Sequence, residues 1–543
     1  MAKTARKTDA ASPPPADEEG IRVRMYRQGL GDCFLVRLPR PDGAPFWLMI
    51  DCGVIVGTKD PEPKMQAVVA DIIRTTERKP GAGGFVDVLV VTHEHWDHVS
   101  GFDQAKELFC PGDQKQQAGK LSIGEVWFAW TEDPGNELAR QLARERKDTI
   151  EGLKAVGLAL GSAVAAAPPQ QSEPMQRTAD GIAAILGFFG LEGPGLFGAA
   201  AVGGKTGSAM AVARSLSQKP VRYWKPGEAP WSSADLPGLR IYPLGPPENA
   251  SAIRRADDRD ETYHAFTAGP AADAFFGASP LRGRTDSADW DDVLQPFDAS
   301  VRGATLKDLD AAAKAIETSV GGPVDATDAF FAKHYFGERA TELTFASPGF
   351  ARTVTRTEPG TIRVDQSWRR IDTSWLDMAP EFALQLDGAT NNTSLVLAIE
   401  LGDGGPVFLF VGDAQAGNWL SWDALSWKIG RRTVTVPDLF ARAVFYKGGH
   451  HGSHNATMKS RGIERMTSGD LVAFIPVDRP TARMKHWDRM PLQGILDALT
   501  ERTKGRVALS EVSNPDFPEQ DFKAFGDRLI ETDLYLELRF PPR

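Results

Sequence analysis

Apolar and polar residues alternate over residues 21–38, and the alternation stops at a Pro-Asp-Gly turn signal at 41–43. A second apolar run at 46–50 follows, so the pair predicts a β-hairpin. Within 64–78 the apolar positions Met65, Val68, Val69, Ile72 and Ile73 recur at helical spacing. Residues 85–91, FVDVLVV, are a β-branched apolar run of the kind a buried strand carries. The polar stretch THEHWDH follows at once, at 92–98. Strand, helix, strand and polar loop, in that order, predict an α/β core.

Beyond Gly101 the pattern changes. Residues 136–166 read as a charged helix, 167–177 as a linker rich in Ala, Pro and Gln, and 181–204 as a buried helix followed by a flexible apolar loop. A strand is expected at 239–244, ended by Gly245-Pro246-Pro247. Residues 250–345 are polar, with one helical stretch at 306–318. Strands resume at 394–401, 407–411, 443–446 and 471–476; a helix at 491–500 and a last strand at 534–540 complete the pattern. No repeat at solenoid periods is present. The expected organisation is a tail (1–20), a first half of the core (21–102), an insertion (103–345) and a second half of the core (346–543). So long an insertion is expected to be a structured, mainly helical subdomain, able to cap a site, bind a protein partner or dimerise.

Composition narrows the class. Three cysteines in 543 residues, Cys33, Cys52 and Cys110, are no disulfide framework, so a cytoplasmic location is expected. The first twenty residues are polar and Pro-rich, a disordered tail rather than a signal peptide. The segment 181–204 carries one charge, Glu192, but its eight glycines and Pro194 suit a spanning helix poorly, so no membrane span is expected. A net charge of −10 opposes loose binding to nucleic acid. Residues 428–489 run the other way, with twelve Lys and Arg against five acids. That stretch is either a solvated basic face or the neighbourhood of an anionic substrate. Gly203-Gly204-Lys205-Thr206 suggests a phosphate loop, but Ala199 stands where the pattern requires glycine.

The chemistry concentrates at residues 93–98. His93, His95, Asp97 and His98 are strong ligand types for a transition metal. At an extended strand end His93, His95 and Asp97 point one way, and a turn then swings His98 beside Asp97. Two ions fit such a loop, one on His93 and His95, the other on Asp97 and His98. The motif resembles the HxHxDH signature of the metallo-β-lactamase superfamily. Asp51 in LMIDCG looks like that family's carboxylate supporting the metal loop, and Asp413 in VFLFVGDA like the carboxylate bridging two metals. His450 or His451 in YKGGHHGSHN looks like its last histidine ligand.

A closer resemblance is to the hydrolase domain of ComEC-type competence channels. Residues 28–32, QGLGD, are similar to that branch's GQGD motif. Residues 391–397, NNTSLVL, are similar to its NNxSLVL strand, and HHGS at 450–453 is shared. His486 resembles the late histidine that precedes a helix. The resemblance covers 21–102 and about 385–540, and it implies an αββα sandwich. One departure concerns the further histidine that most of the superfamily places between HxHxDH and the bridging Asp. Here only His264 and His334 lie in that interval, and Asn392 sits near the vacant position.

The resemblance implies hydrolysis by a metal-activated water, with two Zn2+ ions expected and Mn2+ the alternative. Asp97 would orient the water as well as bind metal, His486 would give a proton to the leaving group, and Asp32, Asp51 and Asn392 would support the ligands. His454 reads as an ordinary surface histidine. A phosphodiester in DNA or RNA is the leading substrate class. The alternatives are a lactone, thioester or small phosphoester with the insertion as lid, and a non-enzymatic binding module in a defence or regulatory complex.

Overall fold

The computed structural model describes residues 20–166, 169–191, 205–258, 260–263, 343–345, 352–354, 364–365, 374–485, 487 and 490–540. They fall into two compact units, the first drawn from 1–139, 205–264 and 391–543, the second from 140–204 and 265–390.

In chain order the strands are β1 (Ile21–Tyr26), β2 (Phe34–Pro39), β3 (Pro45–Ile50), β4 (Gly84–Val90), β5 (Leu121–Ala129), β6 (Arg222–Trp224), β7 (Trp231–Ser233) and β8 (Leu236–Gly245). Next come β9 (Leu343–Phe345), β10 (Arg352–Val354), β11 (Val364–Asp365), β12 (Val396–Leu401), β13 (Val407–Phe410), β14 (Ser426–Ile429) and β15 (Arg432–Thr435). The last are β16 (Ala443–Lys447), β17 (Val472–Ile475), β18 (Val507–Leu509), β19 (Leu529–Glu531) and β20 (Tyr535–Phe540).

The first unit is mixed α/β. One sheet has eight strands in the order β19-β20-β1-β2-β3-β4-β5-β6, and the other has seven in the order β18-β17-β16-β13-β12-β8-β7. The expected hairpin is β2–β3, with Phe34 opposite Ile50, and β1 precedes it as another antiparallel neighbour. The two sheets share one core: Val23, Phe34, Leu48 and Val88 of the first lie in a cluster with Leu397, Phe408, Phe410 and Phe474 of the second. Each such buried side chain contributes about 1.5–3 kcal/mol. The outer face of the first sheet is covered by helix α1 (Pro61–Thr76), helix α2 (Trp96–Gln104) and the helix Lys205–Ser215. Met65, Val68, Ile72, Val99, Phe102 and Met210 supply the contacts. Helix α1 presents the five apolar positions that its spacing predicted, all buried.

One acid is built into this core. Glu400 on β12 is wholly buried, and accepts hydrogen bonds from the Tyr242 hydroxyl (2.7 Å), from Arg432 and from Arg442 (2.9 Å). A carboxylate can lie in a sheet interior only when so compensated.

The chain does not divide where the sequence suggested. Residues 103–345 are not one insertion: β5, β6, β7 and β8 all belong to the two large sheets, β5 between β4 and β6, and β8 between β12 and β7. The first unit also resumes at 391 rather than 346. The expected linker at 167–177 is helical from Pro169 onward, in the helix Pro169–Gly187. The second unit's described residues comprise that helix, most of the helices Glu137–Ala166 and Ser374–Asn391, and a three-stranded sheet in the order β11-β10-β9. Among the described residues no helix is long and apolar enough to cross a membrane. The helix expected at 306–318, His264, His334, and nearly all of the 1–20 tail lie outside the described residues.

Candidate metal centre

The side chains of interest follow strand ends. Asp51 follows β3, residues 92–98 follow β4, Asp413 follows β13, His450 and His451 follow β16, and Asp32 lies in the β1–β2 connection. In open α/β sheets, carboxyl ends of strands are where ligands bind. Three of these segments are bound backbone to backbone. The Asp32 N–H donates to the Asp97 carbonyl (3.0 Å), the Gly53 N–H to the Asp32 carbonyl (3.0 Å), and the Cys52 N–H to the His98 carbonyl (2.8 Å). Gly53 permits this approach: a Cβ there would lie 2.3–2.5 Å from backbone atoms of Asp97 and His98. Gln28 ties the same segments together, its amide donating to the carbonyls of Gly31 (3.1 Å) and Gly53 (2.9 Å). The QGLGD stretch thus has a physical role, one that its resemblance alone did not specify.

Asp32, His98, Asp413 and His451 are buried and offer ligand atoms within 4.8 Å of one another, a cluster that could hold a metal ion. Orientation sorts its members. His98 Nδ1 faces Asp51 Oδ2 at 2.8 Å, and Asp51 is itself held by the Thr92 N–H and hydroxyl, both at 2.7 Å. His451 Nδ1 faces the Pro476 carbonyl at 2.6 Å. An acceptor on Nδ1 makes that nitrogen the donor and leaves the lone pair on Nε2. Both Nε2 atoms turn inward: His98 Nε2 lies 3.1 Å from Asp413 Oδ2 and 3.5 Å from Asp97 Oδ2. His451 Nε2 lies 2.8 Å from Asp97 Oδ2 and 3.8 Å from Asp413 Oδ2. Asp32 approaches the two rings from their Nδ1 edges, at 3.9 and 3.8 Å, and so stands behind them.

His93 and His95 make a second pair. His93 Nε2 and His95 Nδ1 are 3.1 Å apart, close to the roughly 3.3 Å between two nitrogens on one tetrahedral zinc. His93 Nδ1 is turned toward the hydroxyls of Thr92 (3.1 Å) and Ser394 (3.4 Å).

Charge follows the geometry. Burial opposes protonation of His98, but Asp413, Asp32, Asp97 and Asp51 outweigh it and lift its pKa well above the imidazole range. His451 is likewise raised against burial by Asp413 and Asp97. Burial would raise Asp413, yet Lys447, His98 and His451 hold it well below the carboxylate range. Desolvation presses His93 well down, His95 to about 3 and His450 to about 4. The field of the carboxylates thus favours positive charge at His98 and His451, whereas burial disfavours it at His93, His95 and His450.

The residues present fit such an ion. Two oriented imidazoles and two carboxylates are a donor set that zinc and manganese accept, and the buried Oδ1 atoms of Asp97 and Asp32 have no hydrogen-bond partner among the described residues.

Of HHGS, the two histidines separate. His451 joins the cluster. The ring nitrogens of His450 face Gln415 (3.2 Å), the Ser453 hydroxyl (2.9 Å) and Asn391 (3.5 Å), while its N–H donates to Asp413 Oδ1 (3.2 Å). Both adopt left-handed backbone, φ 40° and 52°, as does Asp51 at 56°, a costly conformation that concentrates at functional sites. Asn392, expected where a further histidine would be, is no ligand. Its amide donates to the carbonyls of Ile253 and Arg255, and its carbonyl oxygen accepts from the N–H groups of Gln415 and Asn418. It staples loops together. His486 lies outside the described residues. His454 is part-exposed, 3.9 Å from Asp257.

Sequence reasoning missed Lys447. Its buried ammonium donates to the Gly412 carbonyl (2.6 Å), Asp413 Oδ1 (2.9 Å) and Asp32 Oδ2 (2.7 Å). The signal was a lone cation closing an otherwise apolar strand, AVFYK. The basic stretch also reads differently in three dimensions. Arg432 and Arg442 pair with Glu400, Arg461 and Arg465 with Asp423, and Arg479 with Glu511. These five of its twelve cations are thus paired with carboxylates of the protein itself.

Comparison of the chain with protein-family models, with curated proteins and with solved structures finds no match.

Proposed function

We propose that this protein is a metal-dependent hydrolase of metallo-β-lactamase type, acting on a phosphodiester such as DNA or RNA. The observation that carries the reading is the paired orientation of His98 and His451. Each has its Nδ1 fixed from outside and its Nε2 aimed at the Asp97 and Asp413 carboxylates. Nothing in simple packing requires two buried imidazoles and two carboxylates to converge. Zn2+, with Mn2+ the alternative, would be held by Asp97, His98, Asp413 and His451, with His93 and His95 as a second position. When bound, the ion supplies a water of lowered pKa and a positive charge for the developing oxyanion. Asp97 keeps one oxygen toward His451, and its Oδ1 is left to accept a proton from an incoming water. Asp51 and the Pro476 carbonyl hold the two imidazoles in their working tautomers.

A second reading has its own support. A polynucleotide needs free cationic surface, and the pairing of Arg432, Arg442, Arg461, Arg465 and Arg479 removes part of it. A small ester, thioester or lactone makes no such demand.

The test combines metal content by elemental analysis with digestion of fluorescent single- and double-stranded DNA and RNA, using His95→Ala and Asp413→Ala as controls. Metal together with cleavage that both variants and chelation abolish is the expected result. Metal without cleavage would transfer the site to small esters, and a chain that takes up no metal would overturn the hydrolase reading.

A further inference from the structure

The two halves of this centre have unequal sets of donors, and Lys447 is bonded to a carboxylate beside them. Asp413 faces the His98 and His451 rings and also acts electrostatically on His93 and His95, and its two oxygens are already divided. Oδ2 faces His98 and His451, whereas Oδ1 accepts from Lys447 Nζ (2.9 Å) and from the His450 N–H (3.2 Å). All three ammonium protons of Lys447 are used, on Gly412, Asp413 and Asp32, so the side chain is fixed. Asp32, the remaining carboxylate of the cluster, is drawn to the same ammonium and stays behind the imidazoles. The position at Asp97, His98, Asp413 and His451 thus has two imidazoles and two carboxylates. The position at His93 and His95 has two imidazoles flanked by hydroxyls, a share of Asp413 Oδ2 at most, and a permanent positive charge bonded to that same carboxylate. In a medium of low dielectric a fixed cation on a shared ligand weakens a second dication strongly.

We infer that Lys447 is a positioning residue that makes the centre bind one divalent ion tightly and a second only weakly, the tight ion resting on Asp97, His98, Asp413 and His451. The inference rests on the metal-centre reading above and goes beyond it in fixing occupancy and order of filling.

The experiment is a Co2+ titration of the chelator-stripped full chain, followed by visible absorption, with Zn2+ content after desalting measured in parallel for the parent, Lys447→Met and Lys447→Gln. The parent should retain about one ion per chain, with a second Co2+ phase at least roughly 10-fold weaker, the scale on which outer partners of metal ligands act. Lys447→Met should gain affinity in that second phase, moving toward two ions, a direction that a merely structural lysine would not give. A parent that holds two ions of equal affinity would overturn the inference while leaving the metal centre standing, as would a variant that folds and gains nothing. A parent that binds none would instead remove the metal reading itself. Should neither variant give a cooperative melting transition, the parent titration still decides occupancy and order of filling, and two ions of equal affinity there would overturn the inference.

Discussion

Asp51→Asn is the substitution that most directly probes how the centre is oriented. It preserves size while deleting one charge. In the parent, Asp51 Oδ1 accepts from the Thr92 N–H, and Oδ2 accepts from the Thr92 hydroxyl and His98 Nδ1. An asparagine keeps one acceptor for the Thr92 N–H but presents an NH2 group toward His98. The ring must then accept on Nδ1, which moves its proton to Nε2 and removes the lone pair a metal would use. Loss of such an outer partner costs about 10–100-fold in metal affinity, or about 1.4–2.7 kcal/mol. The weakened hydrogen bonds, charge-assisted in the parent, should lower folding stability by about 1.5–3 kcal/mol. Competition for Zn2+ against a chromophoric chelator gives the first quantity, and urea unfolding monitored by circular dichroism the second. A folded Asp51→Asn protein that binds Zn2+ as tightly as the parent would refute the claim that Asp51 sets the His98 tautomer.

Three further outcomes are expected. His451→Ala should lose the tightly held ion, whereas His450→Ala should keep it, as read by elemental analysis; the reverse order would reassign the HHGS histidines. Gly53→Ala should destabilise the fold by about 1–3 kcal/mol and weaken metal binding together with it, because the new Cβ would displace the Asp97–His98 backbone; equal melting temperatures would contradict this. Glu400 is raised by burial but lowered further by Tyr242, Arg432, Arg442 and the Gly404 N–H, so its folded pKa is depressed. Its contribution is therefore present above the unfolded value of about 4.3 and is lost as pH falls through the folded one. Glu400→Gln should melt earlier at pH 7 and lose less on acidification than the parent, and a parallel acid profile would count against the assignment.

What the sequence revealed was local, and what it hid was pairing. Met65, Val68, Val69, Ile72 and Ile73 have only one periodic solution and were read correctly as a helix face. Residues 121–129, LSIGEVWFA, are as strand-like as 85–91, yet they lie beyond the first change of character and were assigned to the insertion. Nothing in a run of apolar residues states which strand it joins, and β5 joins β4. The ligand types at 93–98 were legible because six residues hold them all. The split between His450 and His451 was not, since it depends on two left-handed residues that turn the rings apart. Asn392 is expected to support the ligands, but how it could do so, as a staple between loops, is visible only in its four hydrogen bonds.

The first sheet joins its earliest and latest strands: Ile21 of β1 lies opposite Phe540 of β20, and the register continues to Tyr26 opposite Tyr535. During synthesis β1 leaves the ribosome hundreds of residues before its partner. Until then β1 presents an unpaired edge, the kind of surface that chaperones cover and that recruits other chains. The centre is similarly delayed, because Asp97 and His98 wait for Asp413 and His451. A nascent chain halted in the 265–390 region would display the four clustered side chains His93, His95, Asp97 and His98 without their later partners, open, on the proposed reading, to whichever cation arrives first. On the proposed reading, correct loading would depend on the order of translation, folding and metal supply as well as on the finished geometry.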